Sequence, residues 1–153
     1  ARDYVGTAPD GRFQMDKWDG YTAARDRLFA RIVETRAANP VILSGDVHVH
    51  YAADLRRDFT RPESPVIGVE LTNSSITSNG DGAEHAADWA TLQQHNPHLR
   101  FHSARRGYIA CTVTPSELRA DFQVVDRVTT PGAPERTAGR WVVEAGRPGL
   151  VAG

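Results

Sequence analysis

Hydrophobic positions along the chain change period twice. Between residues 20 and 37, Tyr21, Ala24, Leu28, Ile32 and Val33 recur at helical spacing, with Arg25, Asp26, Arg27, Arg31 and Glu34 between them. That spacing predicts a helix covering one face of a sheet, with Asp19 as its N-cap and Asn39-Pro40 as its stop. Val41-Ile42-Leu43 reads as a buried strand, apolar on both faces. Residues 51–55 form a short extended piece, residues 59–65 a loop and residues 66–71 a second strand. Residues 83–94 return to helical spacing, with Trp89 and Leu92 on the apolar stripe.

Beyond residue 98 the period is two. Residues 99–103, 107–114 and 118–128 predict three strands, the first two separated by Arg105-Arg106-Gly107. Residues 129–139 read as loop, Trp141-Val142-Val143 as a last strand and residues 144–149 as a closing tail. The pattern is α/β in a single unit over 1–153: a loop over 1–18, a helix-strand core over 19–128, then a C-terminal strand and tail over 129–153.

The densest chemistry sits where the first strand ends, at Ser44-Gly45-Asp46-Val47-His48-Val49-His50. In α/β architecture, sites collect at strand ends. Asp46, His48 and His50 occupy alternate positions, so an extended chain would point all three to one side. A carboxylate oxygen with imidazole nitrogens suits iron, zinc or manganese. The plain alternative is a strand end with solvated polar residues. His50 is either a proton donor to a leaving group or a solvent-facing histidine beside the site. The loop over 72–82, rich in hydroxyls and amides, is either a surface loop or a set of hydrogen-bond donors beside the metal. Arg106 is either a bidentate phosphate clamp or the partner of a sheet carboxylate. His85, His95 and His98 read as surface histidines, since none is spaced with a second ligand type. Cys111, the lone cysteine, reads as a buried inert thiol.

Composition narrows the partners. The 153 residues are 40% hydrophobic and 24% charged, with a net charge of −1. That balance offers no whole-chain electrostatic case for nucleic acid or an anionic membrane. No apolar run reaches the length of a transmembrane helix, and Ala1 does not open a signal peptide. A chain starting Ala-Arg-Asp-Tyr reads as a processed, truncated or cleaved product.

Several blocks together resemble a known family. Gly45-Asp46-Val47-His48 stands where the calcineurin-like metallophosphoesterases carry their last metal-ligand block, Gly-His-x-His, with Asp46 in place of the first histidine. Residues 15–21, Ser64-Pro65-Val66, residues 74–78, Arg106-Gly107-Tyr108 and residues 140–149 complete a similarity to the PhoD family of alkaline phosphatases and phosphodiesterases, from about Gln14 onward. The resemblance implies the C-terminal part of a four-layer α/β/β/α sandwich with a mixed sheet. It implies iron with calcium, held in part by Asp46 and His48; zinc or manganese stays open from the donor set, and Arg106 stays the candidate for substrate binding from its place at the strand junction. A phosphoester or phospholipid would be the substrate, by monoesterase, diesterase or phospholipase D-type hydrolysis. Export through a twin-arginine signal is implied as well.

The family's earlier blocks, with a cysteine, an aspartate and tyrosine pair and an asparagine, lie upstream in a longer protein and are not in this sequence. Cys111 does not match that cysteine. Two ligands cannot close an octahedral or trigonal-bipyramidal site, so the expected partner is an upstream N-terminal chain of the same enzyme. The competing expectation is a non-catalytic module whose Asp-x-His is incidental.

Overall fold

The sheet is mixed, and its middle is not where the hydrophobic pattern put it. A computed structural model describes residues 17–153. A 3-10 turn (Trp18–Tyr21) leads into α1 (Thr22–Glu34), followed by β1 (Val41–Ser44), β2 (His50–Arg56), β3 (Val66–Thr72), β4 (Gly82–Ala83), α2 (Trp89–His95), β5 (Leu99–Val113), β6 (Glu117–Val125), β7 (Glu135–Glu144) and β8 (Val151–Ala152). The strand order is β1-β3-β2-β5-β6-β7-β8, with β4 paired to β5. Among the described residues only β1 and β3 run parallel; the other pairs are antiparallel.

β1 was expected to be a fully buried strand. Among the described residues it lies at the end of the strand order, pairs with β3 alone, and leaves Leu43 65% exposed. The buried strand is instead β2, His50-Tyr51-Ala52-Ala53-Asp54-Leu55, flanked by β3 and β5 and closed on both faces. Its alternation serves two cores. Tyr51, Ala53 and Leu55 pack with Phe29 of α1, Phe59, Leu92 of α2 and Leu99. Ala52 packs with Val69 and Leu71 of β3 and with Ala120, Phe122, Val143 and Leu150 from the far half of the sheet. Helices therefore cover one face of β2–β3, and the β6–β7 half folds over the other. Among the described residues this gives three of the four layers expected.

β5 makes that folding possible. Its first half pairs with β2 and its second half with β6. Arg105-Arg106-Gly107 was expected to break it. The strand runs through, because at Gly107 a Cβ would collide with the Gln123 carbonyl of β6, and only glycine admits that approach.

Other elements shift for similar reasons. The cap of α1 falls at Tyr21, after the 3-10 turn, and not at Asp19. The reading of residues 1–16 as loop lies outside the described residues. α2 begins at Trp89 instead of 83, because Ala83 pairs with Ala104 and the Glu84 carbonyl accepts from the Ala104 N–H. β7 starts at Glu135, in the stretch read as loop. Its first turns are polar because they face charged neighbours, including a 2.8 Å Arg136–Glu84 pair. Cys111 is exposed, on the outer part of the β5–β6 hairpin where Val113 is 72% exposed.

His85 and His95 are exposed, but His98 is buried against Phe59, with ring centroids 4.8 Å apart. Burial, and then the Arg56 charge, lower its pKa to about 3. His50 is likewise lowered, to about 4, by burial and then by Arg106. Both rings are neutral in the native state near neutral pH. Below pH ~6.5 the unfolded chain takes up protons that the native state refuses. Stability should therefore be constant from pH 8 to about 6.5 and fall toward pH 4, by about 1.4 kcal/mol per pH unit for each histidine. Thermal melts across that range check this; a His98→Gln variant should show a shallower decline, and an unchanged slope would contradict the assignment.

Candidate metal site at the turn between β1 and β2

Residues 45–49 carry the chain from the C-terminal end of β1 over the end of β3 to the start of β2. The turn is not extended. Asp46 (φ 74°) and His48 (φ 58°) both sit in the left-handed region. Asp and His tolerate it better than most residues, yet each such position costs on the order of 1–3 kcal/mol and persists only where its surroundings fix it. Val47 and Val49 anchor the turn by packing against the helix-side core. Asp46 stays exposed and His48 half-buried.

Hydrogen bonds hold the turn from above. The His48 carbonyl accepts from Arg106 Nη1 at 2.9 Å and from Ser74 Oγ at 3.1 Å. The Asn73 N–H donates to the Ser44 carbonyl at 2.8 Å, and the Ser74 N–H donates to His50 Nδ1 at 3.2 Å. The 72–82 loop thus lies directly against residues 44–50. His48 Nδ1 lies 2.7 Å from Asn79 Oδ1.

The expected alignment of three side chains is corrected. His50 does not point outward beside Asp46 and His48. It is fully buried, its ring edge-on to Phe122 at 5.5 Å. With a pKa near 4 it is a poor proton donor to a leaving group near neutral pH, and it is not a solvent-facing histidine either.

Arg106 is also placed otherwise than a phosphate clamp requires. Its two terminal nitrogens are engaged inside the protein: Nη1 donates to His48 O, Ser75 Oγ at 2.8 Å and Ser78 O at 3.0 Å, and Nη2 donates to Ala104 O at 2.6 Å, while Nε is buried without a partner among the described residues. It pairs with backbone carbonyls and a serine hydroxyl, not with a sheet carboxylate.

The sequence reading missed Glu70. Its buried carboxylate accepts from Ser44 Oγ, tying the parallel ends of β1 and β3 beneath the turn, and burial raises its pKa. A charged residue inside the apolar run 66–71 was the available signal.

Asp46 offers one exposed carboxylate, and His48 one half-buried imidazole whose Nδ1 is taken by Asn79. Among the described residues no group of three or more His, Cys, Asp or Glu could hold a metal ion. The pair fits a metal only with further ligands from elsewhere.

A family model described as PhoD-like phosphatase matches residues 3–122. The chain belongs to the PhoD-like phosphatase family. It is 41% identical over 145 residues to alkaline phosphatase D of Bacillus subtilis (strain 168), a match covering 95% of this chain and 25% of that protein. The solved structure of PhoD is similar, with a TM-score of 0.89 and 38% identity over 96% of this chain and 28% of that one. The chain therefore spans about a quarter of the length of the relatives it matches.

An Arg106→Lys substitution tests the assignment of that residue. A single ammonium cannot reach four acceptors spread over 48, 75, 78 and 104, so a buried network is broken. The Tm of this PhoD-like chain should fall by several degrees, equivalent to about 2–3 kcal/mol. An unchanged Tm with a raised KM would return Arg106 to substrate binding.

Proposed function

We propose that this chain carries the last metal-ligand block of a metal-dependent phosphoric ester hydrolase, with Asp46 and His48 as ligands. The observation that carries the reading is the placement of these two residues, Asp46 exposed and His48 half-buried, on a turn held at the parallel strand ends, in a chain 41% identical to an alkaline phosphatase. When bound, a metal pair would polarise the phosphoryl oxygen and lower the pKa of an attacking water. Iron with calcium is the pair the family resemblance favours; zinc or manganese also suits an oxygen and nitrogen donor set.

The residues of this chain contribute position. Asp46 presents a hard anionic oxygen, His48 a neutral nitrogen, and the 73–79 loop with Arg106 holds the turn that carries both. Phosphomonoesters, phosphodiesters and phospholipids share the group such a site would grip. Secretion accords with the same family. Among the described residues no helix is long and apolar enough to cross a membrane.

The partner is the upstream part of the same enzyme. Two findings support this reading. The ligand shell is partial, and β1 has no strand on its outer side among the described residues, with Leu43 standing open there. An open strand edge with an exposed apolar side chain is the surface to which a further strand adds.

Substitution of Asp46 by Asn and of His48 by Ala in the full polypeptide tests the ligand assignment. Asn tolerates the left-handed backbone and nearly preserves the shape of Asp46, so folding should be kept. Each variant should lose at least a hundredfold in hydrolysis of a chromogenic phosphodiester and bind less metal, since even one lost outer-shell partner typically costs about 10–100-fold. Near-normal rate and metal content in either variant would sink the assignment.

A further inference from the structure

We infer that Asn79 is a positioning residue for His48, whose side-chain carbonyl fixes the imidazole tautomer that leaves Nε2 open to a metal ion. The inference rests on the reading of His48 as a ligand and adds the group that prepares it.

The chemistry follows from one contact. Asn79 Oδ1 lies 2.7 Å from His48 Nδ1. An amide oxygen can only accept, so Nδ1 carries the ring proton. A neutral imidazole has one N–H, so the lone pair is on Nε2. The opposite amide orientation would place an NH2 group against Nδ1, force the proton onto Nε2 and block that nitrogen. A metal-bound histidine needs an acceptor behind it, and the Asn79 carbonyl fills that part.

The contact is not a chance meeting of two surface side chains, because both partners are fixed by the same group. Arg106 Nη1 donates to the carbonyl of His48 at 2.9 Å and to the carbonyl of Ser78, the residue before Asn79, at 3.0 Å. Ser75 Oγ also donates to the Ser78 carbonyl at 2.9 Å. On the other side Asp81 is anchored, its Oδ1 accepting from the Val128 and Thr129 N–H groups at 2.7 and 2.9 Å. Asn79 is therefore held on both flanks.

Asn79 has a second property that must be separated from the first. Its φ is 70°, in a turn where Gly80 and Gly82 have φ 67° and 73°. Asparagine could stand there for its backbone alone. Glycine satisfies that backbone and has no acceptor. Aspartate tolerates it and keeps one.

The experiment compares Asn79→Gly, Asn79→Asp and His48→Ala in the full polypeptide, with zinc(II) as the probe ion. Zinc affinity is read by equilibrium dialysis, Tm by calorimetry, and the His48 tautomer by ring 15N shifts in selectively labelled, metal-free protein. Asn79→Gly should keep its Tm, lose about 10–100-fold in zinc affinity and show His48 as a mixture of tautomers. Asn79→Asp should stay within about threefold of the parent, well inside the loss an absent outer-shell partner brings, with Nδ1 protonated. An Asn79→Gly variant that binds zinc like the parent, while His48→Ala does not, overturns the inference and leaves the ligand reading standing. An aspartate variant as impaired as the glycine one overturns it too. Full zinc binding by His48→Ala removes the ligand reading and the inference together.

Discussion

One buried guanidinium sets the geometry on which the candidate site depends. Arg106 bridges the carbonyls of His48, Ser78 and Ala104 and the Ser75 hydroxyl. Those groups belong to three segments far apart in sequence: the turn after β1, the loop after β3 and the middle of β5. Burying a charge is unfavourable unless its hydrogen bonds are made; four contacts to Nη1 and Nη2 offset most of that cost here, with Nε left unpartnered among the described residues. In return, two residues that would relax from a left-handed backbone in a free peptide are held in it. The strain in the turn and the buried charge that opposes it form one device.

The rest of the fold serves to bring those three segments together. β1 and β3 end side by side, with the Glu70 carboxyl accepting from Ser44 beneath the turn. β5 is long enough to pair with β2 at one end and β6 at the other, so its middle passes under the turn and delivers Arg106 there. Valines 47 and 49 turn inward, while Asp46 is exposed and His48 half-buried. Among the described residues no strand covers the outer side of β1, and the proposed metal site needs ligands beyond Asp46 and His48. That agrees with a chain that spans a quarter of its relative's length.

Much of this was legible in the sequence, and the failures have physical causes. The candidate pair was readable as a proposal because Asp and His follow an apolar strand with a glycine between. Its geometry was not, since a period-two argument assumes an extended chain and the left-handed values at 46 and 48 leave no sequence trace beyond tolerant residue types. β2 was under-read because its burial is achieved by alanines, a tyrosine and polar groups with partners, such as Asp54, which accepts from the Leu150 N–H at 2.8 Å. Asn79, Ser74 and Arg106 act through bonds spanning 26 to 58 positions, which no local pattern encodes. β5 looked broken because Arg-Arg-Gly resembles a turn when the close β6 backbone is not in view.

The central claim is that residues 1–153 hold one part of a metal site and that the preceding part of the polypeptide holds the other. The direct measurement is metal content and phosphodiester hydrolysis by this chain alone, then after addition of the separately produced upstream part. The account predicts substoichiometric metal and no turnover for the chain alone, with both restored in the mixture as one tight particle. A chain that by itself binds a full complement of metal and hydrolyses the ester at the rate of the mixture would contradict it.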